Sequence, residues 1–358
     1  PDDAVVALRD PGAPAASKLS PAAEAVFSKI SRRILPLLLL GYMIAYLDRV
    51  NVGYAQLQMK ETLPWDLSVY GLGAGVFFIG YFLFEVPSNM LLEKIGARKT
   101  LLRIMVCWGL IAAGMMFVQT PTQFYVARFL LGVFEAGFFP GMILYFTYWY
   151  PTAKRGQVIA TFMAATTVIS VLAGPISGAT LKYLNGVNGW HGWQWLFLVQ
   201  GLPAVAIGII AFLWLDDKPG QAKWLSAADK DEVQRAFAAD AQAAGQKHTV
   251  THGAMLRDPR VWALTLVYFC LLGATYTMVF WTPTLIQSWG VKDVFMVGLL
   301  AAIPNAVGAV GMVLMGRSSD KRNERRLHFV AAVWVAAISL FATTLLKGNI
   351  PGSLIALS

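Results

Sequence analysis

The sequence predicts an all-α membrane protein from its composition, its long apolar segments and the distribution of its basic residues. Of its 358 residues, 57% are hydrophobic and 14% are charged, and the mean hydropathy is +0.56. Soluble domains carry roughly a quarter charged residues. Because an apolar run of about 20 residues is typical of a transmembrane helix, several such runs predict a protein that crosses the membrane repeatedly.

The apolar runs predict nine spans, with the start of a tenth at Leu354. In chain order the nine cover residues 34–56, 70–92, 101–119, 123–148, 158–181, 193–215, 261–287, 295–315 and 329–346. They divide the chain into four predicted parts. These are an N-terminal tail (1–30), an N-terminal six-helix bundle (31–215), a central loop with an amphipathic helix (216–260), and an incomplete C-terminal bundle (261–358) with spans 7–9 and the start of span 10.

The basic residues predict the orientation of these spans. Of 29 lysines and arginines, 23 lie in the tail and in the loops on its side, 4 lie in the opposite loops, and the other two are Arg49 and Arg128. Cytoplasmic loops carry the excess of Lys and Arg, so the tail and the central loop are predicted to be cytoplasmic. The net charge of +9 therefore reflects topology, and no nucleic-acid partner is expected.

The central loop and the cysteines carry weaker signals. Ser226 and Asp229 have the spacing of a capping box at the start of a helix. The alternating charges that follow favour a solvent-exposed cytoplasmic helix. Cys107 and Cys270 lie far apart within spans, so neither a disulfide framework nor a metal site is predicted.

An internal repeat links the loop after span 2 to the loop after span 8. The first reads NMLLEKIGARK and the second GRSSDKRNERR. Their charged residues match at a constant offset of 227 positions, pairing Glu93, Lys94 and Arg98 with Asp320, Lys321 and Arg325. A shared offset predicts two related six-span halves, although each loop taken alone could be a positive-inside anchor.

Five charged residues lie well inside the predicted spans: Asp48, Arg49, Glu85, Arg128 and Glu135. A charge at the bilayer centre costs about 2.5–3.5 kcal/mol by insertion measurements, so such residues usually face a cavity or a partner. Counting the rise along each helix places all of them except Glu85 in the middle-to-outer layer, where they could meet. Arg128 and Glu135, two turns apart, share one face of span 4. Structural ion pairs between helices are the alternative.

The two matched loops resemble the loop motif of the major facilitator superfamily. Within it, four segments together resemble the anion:cation symporter family: YLDRVNVG, FEVPSNMLL, RFLLGVFEAGFFPG and GWQWLF. The resemblance covers residues 30–326 and is greatest to bacterial aromatic-acid and hydroxy-acid permeases, such as hydroxyphenylacetate, phthalate and tartrate transporters. It implies the major facilitator fold of two six-helix bundles, with twelve spans, of which nine to ten are in this chain. It also implies a monomer in the bacterial inner membrane.

The resemblance implies proton-coupled uptake of a small organic anion by alternating access. It assigns proton coupling to Asp48 and Glu135 and assigns contact with the anion, or organisation of these acids, to Arg49 and Arg128. Tyr46 and Tyr81 are expected to line the pocket. The two matched loops are expected to control the conformational change. No cofactor or metal is expected, because the proton gradient drives transport.

Four further positions have more than one possible role. Trp281 and Tyr276 could form aromatic walls of the pocket, or they could serve packing or the membrane interface. Glu85 could be a gating contact or part of a local pair. Thr166 stands where sugar-acid members of the family carry an amide, so its role in binding is an open question.

The charges of Asp48, Arg49, Arg128 and Glu135 suggest how binding of a proton and binding of an anion could be coupled. Protonation of Glu135 or Asp48 leaves an arginine without a partner, which is costly in a buried site. A substrate carboxylate can take that place, because arginine offers it a bidentate fork. Binding of each ligand then favours the other. The competing interpretations are an anion exchanger or uniporter with the same pocket, a membrane enzyme using Asp48 and Glu135, and a non-transporting receptor.

Overall fold

A computed structural model describes residues 19–243, 257–346 and 349–358 as helices joined by short turns. Residues 1–18 of the predicted tail and 244–256 of the predicted central loop lie outside these ranges. Within the described ranges, nine helical segments are long and apolar enough to cross a membrane, which confirms the predicted all-α membrane fold.

The described helices lie before, within and after the central loop. The first half contains α1 (Pro21–Thr62), α2 (Leu67–Ile95), α3 (Ala97–Gly114), α4 (Pro121–Glu135), α5 (Phe138–Trp149), α6 (Thr152–Tyr183) and α7 (Gly192–Trp214). The central loop contributes α8 (Ala227–Ala243), and the second half contributes α9 (Pro259–Ser288), α10 (Val294–Arg322), α11 (Arg326–Leu345) and α12 (Ile350–Leu357).

Helix α1 begins inside the segment predicted as the tail. The Ser20 hydroxyl accepts a hydrogen bond from the Ala23 amide at 3.0 Å, and Pro21 occupies the first turn. A serine cap followed by proline is a typical helix start. The helix therefore starts earlier than the predicted boundary at residue 31, and this signal was readable in the sequence.

The fourth predicted span, 123–148, is two helices with a break at Ala136 and Gly137. Pro140 explains the break, because its ring would clash with the Ala136 carbonyl and it has no N–H to donate to that oxygen. The interruption leaves Glu135 as the last residue of α4. The segment Pro121–Trp149 is still one candidate membrane span, as predicted, and Pro140 interrupts its helix locally.

Close helix packing sets the position of α4 against α2. A β-carbon at Gly132 would lie 2.0 Å from the Phe77 carbonyl oxygen, so only glycine allows this approach. Small residues at a helix interface allow two backbones to approach this closely. The contact places Arg128 and Glu135, one on each side of Gly132, against α2.

Helix α8 packs on the first half and is only partly exposed. The predicted capping box is present, since the Ser226 hydroxyl accepts from the Asp229 amide and the Asp229 carboxylate accepts from the Ser226 amide, both at 3.1 Å. Lys29 donates to Asp229 at 2.7 Å, and Val233 is buried. The predicted solvent-exposed helix is therefore exposed over most of its surface, and its face toward α1 is packed.

Contacts between the two halves concentrate on the side of the protein where α1 ends. Lys182 at the end of α6 pairs with Asp293 before α10, and Lys60 donates to the Gln287 side chain. Deeper in, Gly174 of α6 meets Gly298 of α10 so closely that a β-carbon on either would lie 2.2 Å from the opposing carbonyl oxygen. The basic-residue pattern predicts that this closed side is external.

Candidate functional site

An arginine–glutamate pair lies at the centre of the molecule, between α1 and α4. Arg49 donates from Nε to Glu135 Oε1 at 3.1 Å, and its Nη2 donates to the same oxygen. Its Nη1 donates to the Tyr276 hydroxyl of α9 at 2.7 Å. Glu135 is 1% exposed, whereas the Arg49 side chain is 18% exposed. The structure thus brings together two of the predicted residues, and Arg49 links both halves.

Arg128 lies in the same layer but is fully buried. Its Nε donates to the Gly73 carbonyl at 3.2 Å. In the described part of the chain, its two terminal nitrogens have no hydrogen-bond partner, and neither does Glu135 Oε2. The Arg128 and Arg49 guanidinium carbons lie 5.0 and 5.5 Å from the centre of the Phe77 ring. Unpaired buried polar groups are costly, so a group that hydrogen-bonds to these atoms would be stabilised here.

Asp48 is held on the other side of α1, by α3. The Trp108 indole Nε1 donates to Asp48 Oδ2 at 2.7 Å, and Asn51 donates to Oδ1 at 3.4 Å. Both Asp48 and Trp108 are buried. Sequence reasoning missed Trp108, although a tryptophan within an apolar span usually needs a partner for its N–H.

A first cavity, called here the charged cavity, adjoins the Arg49–Glu135 pair. Its volume is about 150 Å³. Aromatic side chains dominate its walls, which are formed by Tyr42, Ala45, Tyr46, Arg49, Glu135, Phe138, Phe139, Thr166 and Tyr276. Tyr46 lines this cavity, and of the two aromatic residues proposed on span 7 Tyr276 lines it too. That Tyr46 contacts a substrate stays a prediction.

A second cavity, called here the polar cavity, shares Tyr46 with the first and has a volume of about 190 Å³. It lies between the two halves. Its walls come from Tyr46, Val50, Tyr54, Ser170, Ala173, Met278, Val279, Thr282, Ala301, Pro304, Asn305 and Leu357. Neither the polar cavity nor Asn305 was predicted from the sequence.

Two predicted wall residues lie elsewhere. The Tyr81 ring centre is 5.2 Å from the Arg49 guanidinium carbon, so Tyr81 contacts the arginine. Trp281 instead lies beside Gly71 and Gln56, near the closed contact between the halves. Its side chain packs at that contact and does not line the cavity beside Arg49, so a role of Trp281 in substrate binding stays a prediction.

The predicted gating residues occupy equivalent places at the ends of α2 and α10, but their contacts differ. Asp320 and Arg325 form an exposed ion pair at 3.9 Å, and Lys321, Glu93 and Lys94 are also exposed. Arg98 donates to the Phe212 carbonyl at 2.6 Å from Nη2, and its amide donates to Asp217 at 2.9 Å. Arg98 therefore ties α3 to the end of α7 within one half. Glu85 is half-buried, and its carbonyl accepts from Asn89.

Residues 38–358 match the family description Major Facilitator Superfamily. The chain belongs to this family. It is 47% identical over 328 residues to the "Putative metabolite transport protein NicT" of Pseudomonas putida, covering 91% of this chain and 75% of that protein. It is 46% identical over 320 residues to a "Putative tartrate transporter" of Agrobacterium vitis, covering 89% of this chain and 73% of the relative.

The solved structures agree with this assignment at the level of the fold. The chain superimposes on the partially occluded inward-open xylose transporter XylE from E. coli with a TM-score of 0.69 at 16% identity. The alignment covers 94% of this chain and 80% of XylE. The predicted major facilitator fold is confirmed. So is the prediction of a membrane transporter rather than an enzyme, because the family consists of transporters.

Proposed function

We propose that this transporter imports a small organic anion together with protons by alternating access. The observation that carries the proposal is the carboxylate of Glu135 bound to the guanidinium of Arg49 at the wall of a cavity. That carboxylate holds the position that a substrate carboxylate would need, because both groups match the fork of arginine.

Competition between Glu135 and the substrate carboxylate for Arg49 couples proton transport to anion transport. When Glu135 is ionised, it satisfies Arg49 and excludes a second anion from the fork. When Glu135 is protonated, Arg49 loses its counter-charge and the free energy of binding a carboxylate becomes more favourable. By linkage the bound anion favours protonation of Glu135 to the same extent, which is the thermodynamic requirement of symport.

The charge balance of the buried layer supports this proposal. Arg128 interacts electrostatically with Glu135, Arg49 and Asp48, so the four residues form one group with two positive and two negative charges when the acids are ionised. A singly charged anion that binds together with one proton leaves the net charge of this group at zero. We assign Asp48 as a second site of protonation and Arg128 as the fixed charge that holds the balance.

During transport, the two halves would close alternately on the external side and on the cytoplasmic side. Glu93, Lys94, Asp320, Lys321 and Arg325 are exposed here, on the side opposite the contact of Gly174 with Gly298. We propose that these loops and Arg98 approach each other when the cytoplasmic side closes. In this assignment the tail and the central loop are cytoplasmic, and the protein acts as a monomer in the inner membrane.

The first experiment uses Glu135→Gln, which removes the titration of Glu135 and keeps its size. In proteoliposomes loaded with anion, we expect exchange of labelled for unlabelled anion to persist, because Arg49 remains available. Accumulation driven by an inward proton gradient is expected to disappear. Glu61→Gln is the matched control, since Glu61 is exposed at the end of α1.

Three results would change the proposal. Accumulation that survives in Glu135→Gln removes Glu135 from coupling. Uptake by the unmodified protein that ignores the proton gradient but requires anion on the opposite side would instead establish an anion exchanger. Uptake that needs neither would establish a uniporter.

A further inference from the structure

A third cavity, called here the basic cavity, lies among α2, α3 and α4. Lys94 of α2 and Arg103 of α3 line it, and it shares no lining residue with the charged or the polar cavity. Its volume is about 530 Å³, which exceeds that of the other two. Binding sites for small molecules span roughly 300–1,000 Å³. The basic cavity is therefore large enough for a ligand of its own.

The basic cavity lies near the side of the protein that is predicted to be cytoplasmic. Lys94 directly precedes Ile95, the last residue of α2, and Arg103 lies six residues after Ala97, the first residue of α3. With a rise of 1.5 Å per residue, Arg103 is about 9 Å along α3 from that end. Since half of the hydrocarbon core is about 15 Å thick, this depth is within reach of lipid headgroups.

The basic cavity adjoins a face of α2 that does not meet the second half. Phe78 of α2 packs on Tyr276 of α9 at 4.6 Å between ring centres. Pro87, which lines the basic cavity, is about two and a half turns further along α2, so it lies on roughly the opposite face. Phe84 and Met90 also line the cavity and are 41% and 56% exposed. The cavity is therefore accessible from the apolar outer surface of the first half.

In the described part of the chain, neither cation of the basic cavity has a carboxylate partner. Arg103 donates from Nη2 to the Ser88 hydroxyl at 2.8 Å, and its Nε is buried without a hydrogen-bond partner. The neighbouring acids Glu85 and Glu93 do not line the cavity. Apart from Ser88, the rest of the described lining is apolar: Phe84, Pro87, Met90, Leu91, Val133 and Phe134. An anion beside these cations would offset the cost of holding them at this depth.

We propose that the basic cavity binds the headgroup of an anionic phospholipid of the cytoplasmic leaflet. The lipid phosphate accepts hydrogen bonds from Arg103 and Lys94, and the acyl chains lie along Phe84 and Met90. Basic pockets between membrane helices recognise such headgroups. A zwitterionic headgroup would bring its own cation to two cations and to no described acidic lining residue. This lipid site is separate from the transported anion and does not depend on the proposed function.

The test compares two lipids that have the same acyl chains and differ in headgroup charge. Native mass spectrometry of the purified protein in detergent gives the Kd of the first bound dioleoylphosphatidylglycerol and of the first bound dioleoylphosphatidylcholine. We expect phosphatidylglycerol to bind about tenfold more tightly, because two cations attract a headgroup of net negative charge. If Lys94 and Arg103 are only general interfacial anchors, the two lipids should bind alike.

Three variants connect this preference to the basic cavity. In Arg103→Gln and in Lys94→Gln, affinity for phosphatidylglycerol should fall about fivefold, toward that for phosphatidylcholine. The Kd of phosphatidylcholine and the unfolding temperature should stay unchanged, which shows that each variant is folded. Arg103→Lys keeps the charge and should retain most of the preference. Arg317→Gln is the matched control, because Arg317 is exposed near the end of α10 and lines none of the three cavities.

Four outcomes would overturn this assignment. An equal Kd for both lipids shows that the basic cavity does not select negative charge. A preference that survives in both glutamine variants, or that falls equally in Arg317→Gln, originates in other basic residues. Displacement of phosphatidylglycerol by excess glycerol 1-phosphate would make the cavity a site for a soluble phosphate, because that molecule has no acyl chains.

Discussion

Two fully buried tryptophans of the first half have different electrostatic surroundings. Trp108 donates its indole N–H to the carboxylate of Asp48 at 2.7 Å. Trp149 has an indole nitrogen without a hydrogen-bond partner in the part of the chain that the structure describes. A hydrogen bond to a charged group contributes about 1.5–3 kcal/mol. Trp108 is therefore expected to position Asp48, whereas Trp149 contributes through packing alone.

A double-mutant cycle measures the Trp108–Asp48 interaction. Trp108→Phe and Asp48→Ala, singly and together, are compared by chemical unfolding in detergent followed by circular dichroism. We expect a coupling energy of about 1.5–3 kcal/mol, because each single substitution already removes the hydrogen bond. The cycle with Trp149→Phe should give no measurable coupling to Asp48→Ala. Equal coupling in both cycles would show that the effect is general packing.

At the scale of one element, the docking of α8 rests on few contacts. Asp229 accepts from Lys29, and Thr152 donates to Asp240 from its amide at 2.9 Å and its hydroxyl at 2.8 Å. The hydrogen bond from Lys29, followed by that from the Ser226 amide, lowers the pKa of Asp229 below its usual value. The contact with Lys29 is therefore sensitive to pH.

The sign of this pH dependence follows from linkage. A carboxyl whose pKa is lower in the docked state favours docking fully above its ordinary pKa of about 3.9. That contribution is lost as pH falls through the lowered value. Asp229→Asn tests this contribution. Because the substitution removes the carboxylate charge, it should weaken docking of α8 even at pH 7.

Spin labels on α1 and α8 report the docking directly. With Ser28→Cys and Arg235→Cys labelled, and Cys107 and Cys270 replaced, the distance distribution should broaden in Asp229→Asn. Asp231→Asn, on the exposed face of the same helix, should leave it unchanged. A narrow distribution in Asp229→Asn would mean that Val233 and the other contacts hold α8 without this ion pair.

At the scale of the whole molecule, closure of the two halves depends on the absence of side chains at one crossing. Gly174 and Gly298 approach until each would place a β-carbon 2.2 Å from the other's carbonyl oxygen. The sequence pattern of Gly174, Pro175 and Gly178 predicts close packing or a bend in span 5. The structure shows that the partner is the second half.

Gly298→Ala should therefore prevent closure on the predicted external side, because its β-carbon collides with backbone rather than with a movable side chain. Disulfide formation between Lys60→Cys and Gln287→Cys, with Cys107 and Cys270 replaced, is expected to slow. Gly308→Ala is the control, since a β-carbon at Gly308 meets open space. An unchanged rate in Gly298→Ala would show that the halves close without this crossing.

Depth in the membrane could be predicted from the sequence, because it depends only on residue count and helical rise. The apolar runs located nine spans, and counting along them placed Asp48, Arg49, Arg128 and Glu135 in a common layer. The capping box at Ser226 was also readable, because its contacts are local. The break at Ala136 was readable in principle from Pro140, but the surrounding apolar run obscured it.

The sequence alone therefore determined the fold class and the set of charged residues that the membrane must accommodate, and it predicts the orientation. Only the tertiary structure decided which of them pair. Arg49 meets Glu135 across 86 residues, and Asp48 meets Trp108 across 60. Such contacts depend on how each helix is rotated and on how closely Gly132 lets α4 approach α2. Helical rise determines how deep a residue lies in the membrane, whereas helix packing determines which neighbouring side chain it faces.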